Sequence, residues 1–323
     1  MKQRTILTII IIFAALTAVA QNYSPCYKEK YEAGVTLYNK GDYNGAKAKF
    51  VAAKSCPMPN TQEADTWIGR CNKMLNPGPK PPIVSCGTVT DVDGNTYNTV
   101  QIGQQCWMRE NLRTKHYADG TSIPAGGNEM SDTVPYFYDY NTSKIPLEKR
   151  GYLYNWPAAM HGAVSSSAVP SGVQGICPTG WHLPSFAEWD TLTTYVRSQS
   201  EFGCKFSNNR YFAKSLASTS EWHKSTWGYG GDGFPCDVGN NQSSNNATGF
   251  CAFPTGYYYY SHYGNHDTCY YRSSGNIACF WSTRNSETSN VHASCFILEN
   301  SYSDVQREGK RKREGCSVRC LRD

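Results

Sequence analysis

At 323 residues the chain is long enough for about two domains. Charged residues are sparse at 18% and aromatics abundant at 13%, with Gly, Ser, Asn and Tyr crowding the C-terminal half. This excludes a disordered or fibrous protein and favours a loop-rich, β-containing globular one. The formal charge is +5, and +3 once Lys2 and Arg4 leave with a leader. That is too small to argue for nucleic acid or an anionic membrane as partner.

Residues 1–20 read as a signal peptide. Lys2 and Arg4 form the charged region, Ile6 to Leu16 the apolar core, and Ala18-Val19-Ala20 the cleavage site before Gln21. The core is shorter than the ~20 residues a membrane span needs. Gln21 rather than Cys follows the cut, so no lipid is expected there. The predicted destination is outside the cytoplasm: periplasm, cell surface or medium. All 14 cysteines fall after the leader, dispersed and without a C-x-x-C, which reads as a disulfide framework rather than a metal site. Cys316 and Cys320 are the nearest pair.

Residues 21–76 carry Gly34, Leu37, Tyr38, Gly41-Asp42-Tyr43, Ala46, Phe50, Ala53 and Pro57. This pattern resembles a tetratricopeptide helical hairpin, in which small Gly34 and Ala46 allow close helix approach and Gly41 reverses the chain. Ala64, Trp67, Ile68, Cys71 and Met74 predict a third helix. One repeat and a half is fewer than stacked repeats need. The hairpin therefore wants a disulfide, docking on the rest of the chain, or a partner. Cys26–Cys56 and Cys56–Cys71 are both open. Residues 77–85 are a linker, with four prolines between Pro77 and Pro82 favouring extended geometry.

From residue 86, Thr88–Val92 and Tyr97–Ile102 flank Asp93-Gly94-Asn95 and predict a hairpin. The same residues suggest calcium, but Thr96 and Ile102 stand where an EF-hand loop starting at Asp91 needs Gly and Glu. Trp107, Met108 and Leu112 read as core, residues 114–146 as polar loop, Gly151–Trp156 as an aromatic strand, and Ala158–Met160 as a short turn. Ser185 and Glu188 form a capping box for a helix to about 198, with Trp189, Leu192, Tyr195 and Val196 at helical spacing. Tyr211–Ala217 predicts a second, shorter helix. Ser317–Leu321 alternates as a terminal strand.

The ordered set D-x-D-G-N-x-Y-x-T-V-x-I-G, C-W-M-x-E-N-L, L-Y-N-W, C-P-x-G-W-H-L-P-x-x-x-E-W, T-G-F, P-x-G-Y, F-W-S-T and S-V-R-C resembles the Fibrobacter succinogenes major paralogous domain over residues 86–323. The resemblance implies an exported or surface protein without an established activity. It implies an α+β, disulfide-rich, C-type-lectin-like domain: short antiparallel sheets, two helices, long loops and neighbouring termini. It also implies a disulfide between Cys177 and Cys320, pinning the terminal strand to the start of the long helix. Cys204, Cys236, Cys251, Cys269, Cys279, Cys295 and Cys316 depart from the family and read as loop staples.

No chemistry-bearing constellation emerges, so no catalytic residue, cofactor or metal is expected. His262, His266, Asp267 and Cys269 have zinc-like spacing, but Gly264 and Asn265 argue against the helix it would need. Glu188 is a cap, and Glu221, Asp232 and Asp237 lack context. The E-P-N or Q-P-D and W-N-D motifs of calcium-dependent lectins are missing. The expected ligand-binding residues are Tyr257, Tyr258, Tyr259, Tyr260 and Tyr263, with Trp227, on an aromatic surface that runs on to Tyr270-Tyr271, because tyrosine offers amphipathic contact area at low entropic cost. The competing reading of the tyrosines is a strand alternating core and exposed positions. Lys310-Arg311-Lys312-Arg313 reads as a solvated hairpin tip between Glu308 and Glu314. The chain is thus expected to be a non-catalytic binding module for a glycan or protein. The alternative is a structural envelope component docking a partner through its N-terminal helices.

Overall fold

The computed structural model describes residues 24–323 apart from 41, 58–59, 76–81, 141–142, 207–208, 227–232, 264–265 and 287–288, and omits the side chains of 73, 74 and 260–269. The expected leader, most of the expected proline linker and Trp227 lie outside the described residues. The chain divides into two compact units, Met1–Lys80 and Pro81–Asp323. Among the described residues no helix is long and apolar enough to cross a membrane.

The first unit is three helices: α1 (Pro25–Asn39), α2 (Tyr43–Lys54) and α3 (Gln62–Leu75). Ser24 caps α1 by accepting the Tyr27 amide, and Asp42 caps α2 by accepting the Gly45 amide at 2.8 Å. Phe50 fills the α1–α2 interface so tightly that a Cβ on Gly34 would stand 2.7 Å from its ring. Trp67 of α3 stacks on Phe50 at 5.4 Å, meets Tyr38 edge-on at 4.9 Å, and donates Nε1–H to the Tyr31 hydroxyl. Cys26 bonds to Cys56, and Cys71 is a buried thiol. The disulfide joins the start of α1 to the end of α2, where an antiparallel hairpin brings them together.

The second unit contains β1 (Thr88–Thr90), β2 (Thr96–Ile102), β3 (Gln105–Met108), β4 (Phe137–Tyr138), α4 (Leu147–Arg150), β5 (Leu153–Tyr154), α5 (Trp156–Met160), β6 (Trp181–His182), α6 (Phe186–Ser198), β7 (Cys204–Phe206), β8 (Asn209–Tyr211), α7 (Ala213–Leu216), β9 (Tyr257–Tyr263), β10 (His266–Arg272), β11 (Ile277–Ser286), β12 (Ser289–Glu299), β13 (Gln306–Arg311) and β14 (Leu321–Arg322). It is a mixed α and β unit built on small antiparallel sheets. The largest has the order β1-β2-β3-β14-β6, so the last strand lies between elements from the first half of the unit. A second sheet is β11-β12-β13. Helix α6 packs on both, and its Trp189 is buried in an aromatic core cluster with Trp107, Phe250, Phe280 and Phe296. The Trp189 ring stacks on Phe296 at 4.3 Å and lies 4.5 Å from Trp107 and 5.7 Å from Phe280.

The first hairpin is held by turn chemistry. Asp91 accepts the amides of Asp93 and Asn95 and the hydroxyl of Tyr97, while Asp93 accepts from Thr114 and the Lys115 amide. Both carboxylates are engaged by the chain itself.

Several local expectations change. The second helix is a single turn, α7, rather than Tyr211–Ala217: Tyr211 belongs to β8, paired with Cys204, and Ala217 bridges Ala252. Gly151–Trp156 contributes only the two residues of β5, because Asn155 caps α5 and Trp156 begins it. The terminal strand is Leu321–Arg322, with Ser317 making only an isolated bridge to Phe280.

Among the described residues four disulfides brace the chain: Cys26–Cys56, Cys86–Cys106, Cys177–Cys320 and Cys204–Cys236. Of the cysteines read as loop staples, Cys204 and Cys236 pair with each other, while Cys251, Cys279, Cys295 and Cys316 are unbonded in the structure, the last three fully buried in strands or strand-like core.

Candidate functional site

The tyrosine run folds as a hairpin. β9 pairs with β10 in a continuous register, Tyr259 opposite Tyr270, Tyr258 opposite Tyr271, and Tyr257 opposite Arg272. Alternation places Tyr257, Tyr259, Tyr270 and Arg272 on one face and Tyr258 and Tyr271 on the other.

The base of this hairpin is covered on both faces. Tyr258 is 2% exposed: it stacks on Tyr138 at 4.1 Å, lies 5.0 Å from Tyr271, and donates its hydroxyl to the Gly127 carbonyl at 2.6 Å. Its backbone pairs with Gly315 in both directions, at 2.8 and 2.9 Å. A Cβ at Gly315 would meet the Tyr138 ring at 2.7 Å, so only glycine allows this approach. Tyr257 is buried under the Lys310 ammonium, 4.4 Å above its ring. The amphipathic character of tyrosine assigned both residues to a binding surface; Tyr138 and Lys310, from distant parts of the chain, make them core.

What remains accessible lies further along the hairpin. Tyr270 is 38% exposed, Tyr259 is half-buried, and their rings meet edge-on at 5.6 Å. The exposed Arg272 guanidinium sits 5.1 Å above Tyr259. On the opposite face Tyr271 stacks on half-buried Tyr140 at 4.4 Å. Tyr270 and Tyr271 belong to the expected aromatic surface, whereas Tyr140 and Arg272 were not among the expected site residues. The register of β10, absent from local sequence, is the signal that brings Arg272 in. The Tyr260 and Tyr263 side chains and the His262, His266, Asp267 and Cys269 ligand set lie outside the described side chains, although their backbones belong to β9 and β10.

The basic run is not a solvated tip. Strand β13 continues through Arg311, paired with β12. Lys310 donates to Glu308 at 3.0 Å, and Lys312 lies over the Trp156 ring at 4.6 Å. Glu314 is buried, and burial pushes its carboxyl up to about 7 against the pull of Lys310.

Two further buried polar centres are structural in character. His182 donates or accepts at both ring nitrogens, with Nε2 2.8 Å from Glu188 Oε1 and Nδ1 2.6 Å from Asp323 Oδ1. Burial pulls its pKa down, but the hydrogen bonds the imidazole donates to the two carboxylates together outweigh burial and hold it above the usual 6.5. The Lys214 ammonium donates to the carbonyls of Asp237 and Asn240, and burial lowers its pKa to about 7. Its amine nitrogen gathers the 237–240 turn.

The second unit is therefore a disulfide-braced α+β domain with an aromatic hairpin on its surface. Residues 100–322, more than half of the chain, match the Fibrobacter succinogenes major domain, and the chain belongs to that family. No curated protein and no solved structure matches it.

Proposed function

We propose that the chain is an exported, non-catalytic binding module that recognises a glycan through the outer part of hairpin β9–β10. The observation that carries this reading is the cross-strand pair Tyr259–Tyr270 with Arg272 above it: two tyrosines with accessible surface and a cation on one face. Tyrosine faces stack on sugar rings, and a guanidinium donates to hydroxyls or carboxylates in a fixed fork. The covered base supplies rigidity, since Tyr257 and Tyr258 are locked beneath this surface. Catalysis is left out of the reading because His182 and Glu188 are sealed at a helix start, where the same carboxylate also caps α6.

The finer fold reading is a C-type-lectin-like domain. Its support is the adjacency of β14 to β3 and β6, which draws the end of the unit back to its beginning, and the one long helix packed on two small sheets. The tetratricopeptide-like reading of α1–α3 is supported by Gly34 against Phe50 and by Trp67 continuing the stack. A structural envelope component that docks a partner protein through those helices is the second reading. It is favoured by the N-terminal unit being closed by its own disulfide.

The test is binding of the full chain to a glycan array beside Tyr259→Ala and Tyr270→Ala. Specific binding lost in both variants is the expected result. Binding that survives both removes this surface, and pull-down of an envelope protein dependent on residues 24–75 would favour the second reading.

A further inference from the structure

Cys279, Cys295 and Cys316 meet in the interior of the second unit, each with no exposed surface. They come from β11, from β12 and from the segment that follows β13. Cys316 Sγ lies 3.0 Å from Cys279 Sγ and 4.0 Å from Cys295 Sγ.

The backbone register distinguishes the two neighbours. Phe280 and Ser317 form a parallel bridge, with the Ser317 amide donating to the Cys279 carbonyl at 2.9 Å and the Trp281 amide to the Ser317 carbonyl at 3.2 Å. Cys279 and Cys316 are thus directly across from each other on adjacent segments. Adjacent strands lie about 4.8 Å apart, inside the roughly 4.4–6.8 Å Cα window of a disulfide. Cys295 instead faces Trp281, while Cys279 faces Ile297. Cys295 is therefore a diagonal neighbour of Cys279, and diagonal neighbours stand about 7–8 Å apart, beyond that window.

The sulfur separation points the same way. Non-bonded heavy atoms settle at about 3.5–4.0 Å. Two thiolates on one metal ion at about 2.3 Å each would stand roughly 3.8 Å apart. The 3.0 Å of Cys279 and Cys316 is shorter than either. Four disulfides elsewhere in the chain already call for an oxidising folding environment.

We propose that Cys279 and Cys316 form a further disulfide and that Cys295 stays a buried thiol beside it. The two thiols release two protons and two electrons as the S–S bond forms. The electrons pass to a protein disulfide donor of the thiol–disulfide oxidase class, which leaves as a dithiol, as it must for the other four bonds. Burial pushes the Cys295 thiol well above its usual range and keeps it out of exchange.

The bond has a structural consequence at the aromatic hairpin. Cys316 bridges Tyr154, and Gly315 next to it bridges Tyr258. A Cys279–Cys316 link fixes the edge on which β9 docks. Four residues on, Cys320 is tied to Cys177, so the C-terminal segment is anchored at both ends. The proposal does not depend on the glycan reading.

Trypsin separates the three cysteines onto peptides 273–284, 285–307 and 314–319, cutting after Arg272, Arg284, Arg307, Arg313 and Arg319. The full chain, secreted from an oxidising host, is denatured without reductant, alkylated with iodoacetamide, digested and mass-analysed. The expected result is 273–284 linked to 314–319, lost on reduction, with 285–307 alkylated at Cys295. The Cys295→Ser chain is expected to keep the same linked pair. Alkylated 314–319, or 314–319 linked to 285–307, overturns the proposal. So does a native protein holding a thiophilic metal ion with all three cysteines alkylated.

Discussion

The two oxygens of Glu188 serve different neighbours. Oε2 accepts the Ser185 amide at 2.8 Å and closes the capping box of α6, while Oε1 lies 2.8 Å from Nε2 of His182. Asp323 holds the other ring nitrogen at 2.6 Å. One imidazole thereby connects the start of the long helix to the end of the strand β14 that threads the main sheet.

This arrangement sets a pH dependence. The folded-state pKa of His182 is raised, so its contribution to stability is complete below the unfolded value of about 6.5 and is lost as pH climbs through the folded value. Urea melts from about pH 5 to about pH 9 should show wild type losing stability relative to His182→Gln over that range. Parallel curves for the two proteins would remove the charged imidazole from the account.

The Cys177–Cys320 bond spans a separation of 143 residues and constrains the unfolded chain accordingly. In the chain-entropy description such a closure is worth about 5 kcal/mol. The Cys177→Ser, Cys320→Ser double variant should therefore melt at much lower urea, by most of that amount. A loss below about 1 kcal/mol would mean that strain or residual structure offsets the gain.

Arg319 is fully buried and donates to Asn111 Oδ1 and to the carbonyls of Met108, Phe250 and Cys251, at 2.6–3.0 Å. Its guanidinium lies over the Phe250 and Phe280 rings. Arg319→Met should cost about 3 kcal/mol by leaving buried carbonyls without donors. Arg319→Lys should recover less than half, since an ammonium cannot reproduce the fork. A lysine variant as stable as wild type in chemical denaturation would contradict this.

Adjacent tyrosines should behave differently. Tyr258→Ala removes a ring packed on Tyr138 and should destabilise by about 3–5 kcal/mol, whereas half-buried Tyr259→Ala should cost about 1 kcal/mol or less. Differential scanning calorimetry on both variants reads this directly. Equal losses would place Tyr259 in the core as well.

Local signals in the sequence were legible and distant ones were not. The Ser185–Glu188 capping box is a four-residue pattern and folds as one. Gly34 and Phe50 belong to a repeat-like spacing and do pack together. The partner of Cys56 was ambiguous because Cys26 and Cys71 both sit on helices flanking α2; the α1–α2 hairpin brings Cys26 to it. The cluster of Cys279, Cys295 and Cys316 has no spacing to read, since three separate backbone segments assemble it. The same holds at the candidate site. Period-two alternation identifies β9, but nothing local says that Lys310 covers Tyr257 or that Tyr138 covers Tyr258. Only the pairing with β10 shows that Tyr270 and Arg272 share a face with Tyr259.

The central claim concerns that face, and the affinity of the full chain for its best glycan on an array tests it most directly. Wild type is compared by titration calorimetry with a Tyr259→Ala, Tyr270→Ala double variant of confirmed fold. Two stacking tyrosines at about 1–1.5 kcal/mol each correspond to a Kd weakened roughly 30- to 150-fold. That weakening, with the melting temperature held, is the expected result; an unchanged Kd would contradict the assignment of the site.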